Sequence, residues 1–103
     1  SNYENSKQDL IRGILKAFSE IEQLLQQNES LSIQNDALDI AVKQSKDAYD
    51  LSIERYDKGV TNLESVLNTQ RQYNTIRSQQ LTVHRQSIEN RLSLILAMGG
   101  DLE

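Results

Sequence analysis

The sequence predicts an all-α protein, a long antiparallel hairpin of two helices that pack as a coiled coil. Three observations lead to this fold. No Pro occurs among the 103 residues, so nothing in the chain blocks long helices. Uncharged residues recur every three or four positions along the first half of the chain, and one combined stop and start signal surrounds Gly59. We therefore expect a single hairpin over residues 1–103, with a helix at about 6–58, a turn at 59–61 and a helix at about 62–98.

The first helix is predicted from a heptad repeat that begins at Leu10. Alternating steps of four and three residues from there reach fourteen positions, none of them charged, in a stretch rich in Asp, Glu, Lys and Arg. Such a stripe is typical of the buried seam of a coiled coil. The positions are Leu10, Ile14, Ala17, Ile21, Leu24, Asn28, Leu31, Asn35, Leu38, Val42, Ser45, Tyr49, Ser52 and Tyr56.

The turn is predicted from the residues that follow Tyr56. Gly59 can adopt the left-handed conformation that ends a helix, and Lys58 suits the negative end of the helix dipole. Thr61 can cap the next helix, and Glu64, three residues later, would complete a Thr-x-x-Glu capping box. So short a turn makes the two helices antiparallel neighbours.

The second helix carries a weaker stripe that includes charges, and its register follows from folding the chain about the turn. Pairing residues whose numbers sum to about 119 places apolar residues opposite apolar ones and polar opposite polar. The predicted stripe is Leu63, Leu67, Gln70, Asn74, Arg77, Leu81, His84, Ile88, Arg91, Ile95 and Met98. The predicted pairs are Leu38–Leu81, Leu31–Ile88, Leu24–Ile95, Ile21–Met98, Asn35–His84 and Asn28–Arg91.

Each helix also carries a second apolar stripe, which predicts packing against neighbours on both sides. The second stripes are Ile33, Ala37, Ile40 and Leu51 in the first helix, and Val66, Tyr73, Ile76, Val83 and Leu94 in the second. The first helix is longer, so apolar residues before about position 20, such as Leu15 and Phe18, have no partner within the chain. We therefore expect the isolated chain to form a dimer or a larger assembly.

Composition excludes several function classes. The chain has no Cys and one His, so we expect no metal site and no cofactor. No Ser has a nearby His base and no glycines form a phosphate loop, so an enzyme is not expected. The net charge of −4 argues against a nucleic-acid partner, which requires a basic surface. No run of about 18 apolar residues occurs, so this segment is not expected to cross a membrane.

Several motifs resemble those of one family, the TolC-like outer-membrane efflux proteins. Ala17–Glu22 resembles the family's Ala-Phe-x-Glu-Val-Glu segment, and Arg55–Val60 resembles its Arg-Tyr-x-x-Gly-Val tip. Val66–Arg71 is similar to Val-Leu-Asp-Ala-Gln-Arg, and Ala97–Gly100 to the closing Ala-Leu-Gly-Gly. Their order and spacing agree over nearly the whole chain.

The resemblance implies a fragment of a larger channel protein, namely a periplasmic hairpin of an outer-membrane protein of a Gram-negative bacterium. In that family the protomers form a trimer whose hairpins build a tapering α-barrel. The hairpin tips dock onto a periplasmic adaptor and, through it, an inner-membrane pump. The implied adaptor-contact residues are Lys58, Gly59, Val60 and Thr61.

The resemblance also places Ser65 and Asn68 on the pore-lining turn of the second helix. The family often carries Asp at the position of Asn68, and acidic residues near the tip can ring the constriction. Ser65 and Asn68 are neutral, so the resemblance does not imply cation selectivity at this hairpin.

Two alternatives are consistent with a helical hairpin. A hairpin of a periplasmic adaptor would be flanked by the halves of a β-rich domain, and neither end shows strand patterning. A free-standing cytosolic coiled-coil scaffold would be a self-contained dimer, and this alternative does not account for the unpaired start of the first helix.

Overall fold

The computed structural model describes residues 1–99 and consists of two antiparallel helices, which confirms the predicted all-α hairpin. Helix α1 spans Asn2–Asp57 and helix α2 spans Leu63–Gly99. α1 begins four residues before the expected start because Ser1 caps it, its hydroxyl accepting a hydrogen bond from the Glu4 amide at 3.5 Å. The hairpin measures 84 × 23 × 16 Å. Neither helix contains, within these 99 residues, a stretch apolar enough and long enough to cross a bilayer.

The seam of α1 follows the predicted heptad repeat. Each of the ten repeat positions from Ile21 to Ser52 is buried or half-buried. Leu31 is the most enclosed apolar side chain among the described residues, with 5% of its surface exposed, and Ser45 and Ser52 are also buried. Tyr56, the last predicted position, is 45% exposed, so the seam ends before it.

The seam of α2 differs from the prediction by one residue along its length. Buried or half-buried residues recur along the whole helix at Val66, Thr69, Tyr73, Ile76, Gln80, Val83, Ser87, Asn90, Leu94 and Ala97, and Ser65 and Gln70 near the tip are half-buried as well. The predicted stripe is mostly exposed instead, including Leu81 at 61% and Ile95 at 62%. A shift of one residue rotates a helix by about 100° about its axis. The stripe predicted to pack on a neighbour therefore forms much of the seam, and the predicted seam faces outwards.

Charge explains this rotation. The predicted seam would have placed Arg77 and Arg91 between the helices, whereas the observed seam of α2 contains no charged residue. Burial of an unpaired guanidinium costs far more free energy than exposure of a few aliphatic side chains to water. The structure therefore exposes Ile88 and Leu81 in order to keep both arginines in water.

Polar contacts connect the two seams in the observed register. Asn35 donates a hydrogen bond to the Ser87 hydroxyl at 2.6 Å, and the Ser52 and Thr69 hydroxyls lie 2.7 Å apart. The residue numbers of these pairs sum to 122 and 121 instead of about 119. The predicted pairing of Asn35 with His84 is therefore wrong.

Two further contacts lie along the same seam. The Asn90 amide donates a hydrogen bond to the Leu24 carbonyl at 3.0 Å, which replaces the predicted pairing of Asn28 with Arg91. The rings of Tyr49 and Tyr73 stack with centroids 6.2 Å apart, so Tyr73, which was predicted to face a neighbouring helix, lies in the seam. No buried side-chain polar atom among residues 1–99 lacks a hydrogen-bond partner.

Residues 1–20 extend beyond the end of α2 and are all exposed. Leu10, Leu15 and Phe18 are each more than 60% exposed, while Ile14 is 47% exposed. α2 ends at Gly99, and its last half-buried residue is Ala97. The unpaired start of α1 that was predicted from the sequence is therefore present in the structure.

Cysteine pairs test the register. We expect Ser52→Cys with Thr69→Cys to form a disulfide within one chain, since the two hydroxyl oxygens are 2.7 Å apart and short side chains in such contact suit disulfide geometry. The control pair is Ser52→Cys with Leu67→Cys, because these two residues would lie opposite each other in the register predicted from the sequence, in which residue numbers sum to about 119. The chain has no Cys of its own, so oxidation and non-reducing electrophoresis read the result directly. Faster crosslinking of the Ser52–Leu67 pair would contradict the observed register.

The exposed start of α1 predicts self-association. We expect sedimentation to show a dimer or a larger assembly at micromolar concentration. Leu15→Gln with Phe18→Gln should weaken it, because burying each apolar side chain contributes about 1.5–3 kcal/mol. Lys16→Gln is the control, since Lys16 lies between the two and is itself exposed. A folded monomer at these concentrations, or equal weakening by the control, would contradict the expectation.

Candidate functional site at the hairpin tip

Helix α1 ends at the tip in a Schellman motif. The Val60 amide donates to the Arg55 carbonyl at 2.8 Å, and the Gly59 amide donates to the Tyr56 carbonyl at 3.0 Å. Gly59 has φ +73°, the left-handed conformation that this motif requires. The turn role predicted for Gly59 is therefore observed. These bonds satisfy the last carbonyls of α1 and hold the tip backbone in one conformation.

Helix α2 begins with a different cap from the one predicted. The Asn62 side-chain oxygen accepts a hydrogen bond from the Ser65 amide at 3.0 Å, so Asn62 caps α2 and the predicted Thr61–Glu64 capping box is wrong. Asn is at least as effective an N-cap as Thr, and the turn is one residue longer with Asn62 in this position. Thr61 is half-buried and Glu64 is exposed.

Three of the four predicted adaptor-contact residues are open to a partner. Lys58, Gly59 and Val60 are exposed, while Thr61 is half-buried. Val60 is 71% exposed, which makes it an apolar side chain at the extreme end of the hairpin. The Lys58 ammonium lies 2.9 Å from the Glu54 carboxylate, and so exposed an ion pair adds little to stability.

The two predicted pore-lining residues lie within the first two turns of α2. Ser65 is half-buried, and its carbonyl accepts a hydrogen bond from the Thr69 hydroxyl at 3.2 Å. Asn68 is exposed, and its amide oxygen accepts a hydrogen bond from the Arg71 guanidinium. Neither side chain adds a charge near the tip.

Away from the tip, the hairpin has two long faces, one on each side of the seam. The first, here called the neutral face, contains polar uncharged and small residues. On α1 these include Gln23, Gln27, Ser30, Gln34, Ala37 and Gln44, and on α2 Ser65, Asn68, Gln72, Gln79, Gln86 and Ser93. Two shallow clefts between the helices bring them together, with Gln27 and Gln34 on one side and Gln79 and Gln86 on the other.

The opposite side, here called the charged face, carries many more ionised groups than the neutral face. A third cleft there places Asp36 and Asp39 of α1 beside His84 and Arg91 of α2. The Gln80 amide donates to the Asp39 carboxylate at 2.7 Å across this cleft. Glu22, Glu29, Lys43, Lys46, Asp50 and Arg77 follow the same face. The two sides of α1 follow from its heptad repeat, whereas the assignment of α2 residues to each face depends on the true rotation of α2.

The described residues at the tip offer a binding surface. No group of three or more His, Asp or Glu side chains within residues 1–99 could hold a metal ion. The tip presents an exposed aliphatic side chain, an ammonium group and a rigid backbone turn. Such a surface can bind a protein partner, with Val60 as the apolar contact.

Comparison with known proteins shows to which protein family this chain belongs. Residues 1–100 match the family described as outer membrane efflux protein. The chain therefore belongs to the outer membrane efflux protein family, which is a family of transport proteins and not of enzymes. The predicted resemblance to TolC-like efflux proteins is confirmed.

A curated relative from Pseudomonas putida, the pyoverdine export outer membrane protein OpmQ, is 32% identical to this chain over 87 residues. The match covers 84% of this chain and 18% of OpmQ. The chain thus spans about a fifth of the length of that relative. No solved structure matches the chain.

Replacement of Gly59 tests the conformation of the tip. We expect Gly59→Ala to lower the free energy of unfolding by about 1 kcal/mol or more, because Ala at positive φ is strained. No atom lies within 4 Å of a Cβ added there, so the cost comes from the backbone and not from a clash. Gly59→Asn should cost less, since Asn tolerates the left-handed region.

Gly13→Ala provides the matched control for this prediction. Gly13 lies within α1, where a Cβ also meets nothing within 4 Å, and Ala should stabilise the helix there by up to about 1 kcal/mol. Urea unfolding at one protein concentration measures both variants. A Gly59→Ala protein as stable as the parent would contradict the strained turn.

Proposed function

We propose that this chain is a periplasmic α-hairpin of a trimeric outer-membrane efflux channel, in which it forms part of the wall of the export conduit. The observation that carries the proposal is the family match over residues 1–100. OpmQ is named for pyoverdine export. We extend to this chain the activity of export across the outer membrane. We do not extend to it the cargo for which OpmQ is named.

The structure supports a place in the wall of a helical barrel. A self-contained hairpin would bury its apolar residues in one seam, but Ile33 and Ile40 of α1 are at least 60% exposed, as are Leu81 and Ile95 of α2. Helices in a closed ring have a neighbour on each side and require a second apolar stripe. The exposed stripe of Ile33 and Ile40, which lies on neither the neutral nor the charged face, would be covered by a neighbouring helix of the channel, whereas Leu81 lies in the cleft of the charged face.

The match to an outer-membrane protein family does not favour the two alternatives considered above. A periplasmic adaptor belongs to the inner-membrane side of an efflux assembly. A free-standing scaffold has no need of two outward apolar stripes.

We propose in addition that the tip docks onto a periplasmic adaptor, which connects the channel to an inner-membrane pump. Val60 and Lys58 protrude at the end of the hairpin, and the hydrogen bonds of the Schellman motif fix the turn that presents them. A rigid, exposed apolar side chain binds with little loss of conformational entropy. Gly59 and Thr61 complete the proposed contact.

Substitution of Val60 separates docking from folding. We expect Val60→Asp in the complete protein to weaken adaptor binding by about tenfold or more, because a carboxylate would be buried unpaired against the partner. Helix content and the melting temperature should remain unchanged, since Val60 contacts neither seam. Val60→Thr, of nearly equal shape and no charge, should have a smaller effect. Binding to the purified adaptor and efflux in cells measure the outcome.

A charge swap provides the control for Lys58. Lys58→Glu removes the ion pair with Glu54 and should weaken docking. Lys58→Glu with Glu54→Lys restores the pair, so it should recover any lost helix stability without recovering adaptor binding. The docking assignment is wrong if Val60→Asp and Lys58→Glu both leave binding and efflux intact in a folded protein. Recovery of binding by the swap would instead mean that Lys58 acts through local stability.

A further inference from the structure

We infer that the neutral face of the hairpin is turned towards the lumen of the export conduit, and that this segment therefore applies no charge selection to the cargo. The inference rests on the proposed function and deepens it. It applies to the length of the hairpin between the tip and the end of α2, beyond the turn that carries Ser65 and Asn68.

Charged side chains are distributed unevenly between the two faces of the hairpin. On the neutral face, from residue 23 to 51 of α1 and 65 to 96 of α2, Glu89 is the only charged side chain. Its carboxylate lies 3.8 Å from the Arg85 guanidinium. On the other face of α1, seven of the ten corresponding positions from Glu22 to Ile53 are charged. Folding alone does not require this difference, because both faces lie equally far from the seam.

A fixed charge acts more strongly on solutes inside a narrow tube than on the open outer surface of its wall. A barrel wall has one surface in a narrow tube and one in open solvent. Fixed charges in a tube focus the field and attract solutes of opposite charge, whereas charges on an open surface are screened within about 8 Å at physiological ionic strength. Amide and hydroxyl groups such as those of Gln34 and Gln79 exchange hydrogen bonds with water and with polar cargo of either charge. A conduit that must release its cargo is better lined by such groups.

The side chains on the two faces also differ in size. The inner side of a closed ring of helices has less room than the outer side. On the neutral face of α1, Ala37, Ala41 and Ala48 recur among Ser and Gln. The charged face of α1 has Lys43 and Lys46, and α2 presents Ile88 on the same side. Small residues on one side and long ones on the other favour a wall that curves towards the neutral face.

Isosteric substitutions in the complete protein test the inference. Gln72→Glu and Gln79→Glu each add a carboxylate to the neutral face, and both residues are exposed. Asn74→Asp is the matched control, because Asn74 is exposed on the opposite side of α2 and the change is chemically the same. The measurement is the reversal potential of the purified channel in a planar bilayer under a potassium chloride gradient.

We expect Gln72→Glu and Gln79→Glu to raise the ratio of cation to anion permeability roughly two- to fivefold at low salt, and less at high salt. Asn74→Asp should leave the ratio unchanged. The inference would be overturned if only Asn74→Asp changed the permeability ratio. It would also be overturned if all three variants conducted ions with an unchanged ratio. Either result would leave the proposed function standing. A purified protein that forms no conducting pore and supports no efflux would overturn both.

Thiol modification gives a second readout that does not depend on selectivity. In a background without other cysteines, Gln79→Cys and Asn74→Cys are treated with cationic and anionic methanethiosulfonates. Both reagents should reduce conductance through the Gln79→Cys channel and neither should affect Asn74→Cys. The reverse pattern would place the charged face in the lumen and overturn the inference.

Discussion

The structure depends on one constraint, that the seam between two helices cannot contain an unpaired charge. A two-helix seam is narrow, and each residue within it meets only a few others across the interface. An arginine buried there would have no carboxylate beside it. The observed seam of α2 contains no charged residue, and Arg77 and Arg91 lie outside it. The cost of desolvating a guanidinium thus determines the rotation of α2, and the rotation determines every contact between the helices.

The same seam is too polar to act alone as a hydrophobic core. Ser45, Ser52, Ser87 and Asn90 are buried, and the hydrogen bonds across the seam contribute about 1 kcal/mol each. These bonds specify one register, because Asn and Ser partners must meet at fixed positions. The remaining apolar residues face outwards in stripes. A hairpin with a specific but weak seam and two further stripes is suited to be one element of a larger ring of helices, which agrees with the outer membrane efflux protein family.

The tip and the faces follow from the same arrangement. The Schellman motif at Gly59 and the cap by Asn62 close the turn with backbone and side-chain hydrogen bonds, so Val60 projects from a fixed frame. Once α2 is rotated to exclude its arginines, Gln79 and Gln86 come to lie beside Gln34 and Gln27. The acidic residues of α1 then share the opposite face with Arg91 and His84. The division into a neutral and a charged face is therefore a consequence of the seam.

The sequence by itself determined the hairpin, the seam of α1, the turn at Gly59, the unpaired start of α1 and the family. These depend on periodicity along one helix or on local backbone conformation, which a single chain records directly. Only the tertiary structure decided the rotation of α2, the cap at Asn62 and the contact of Asn35 with Ser87. α2 carries two apolar stripes of similar strength, so periodicity alone could not choose between them. A count of charges in each stripe would have chosen correctly, because it measures the cost of burial on which the packing of two helices depends.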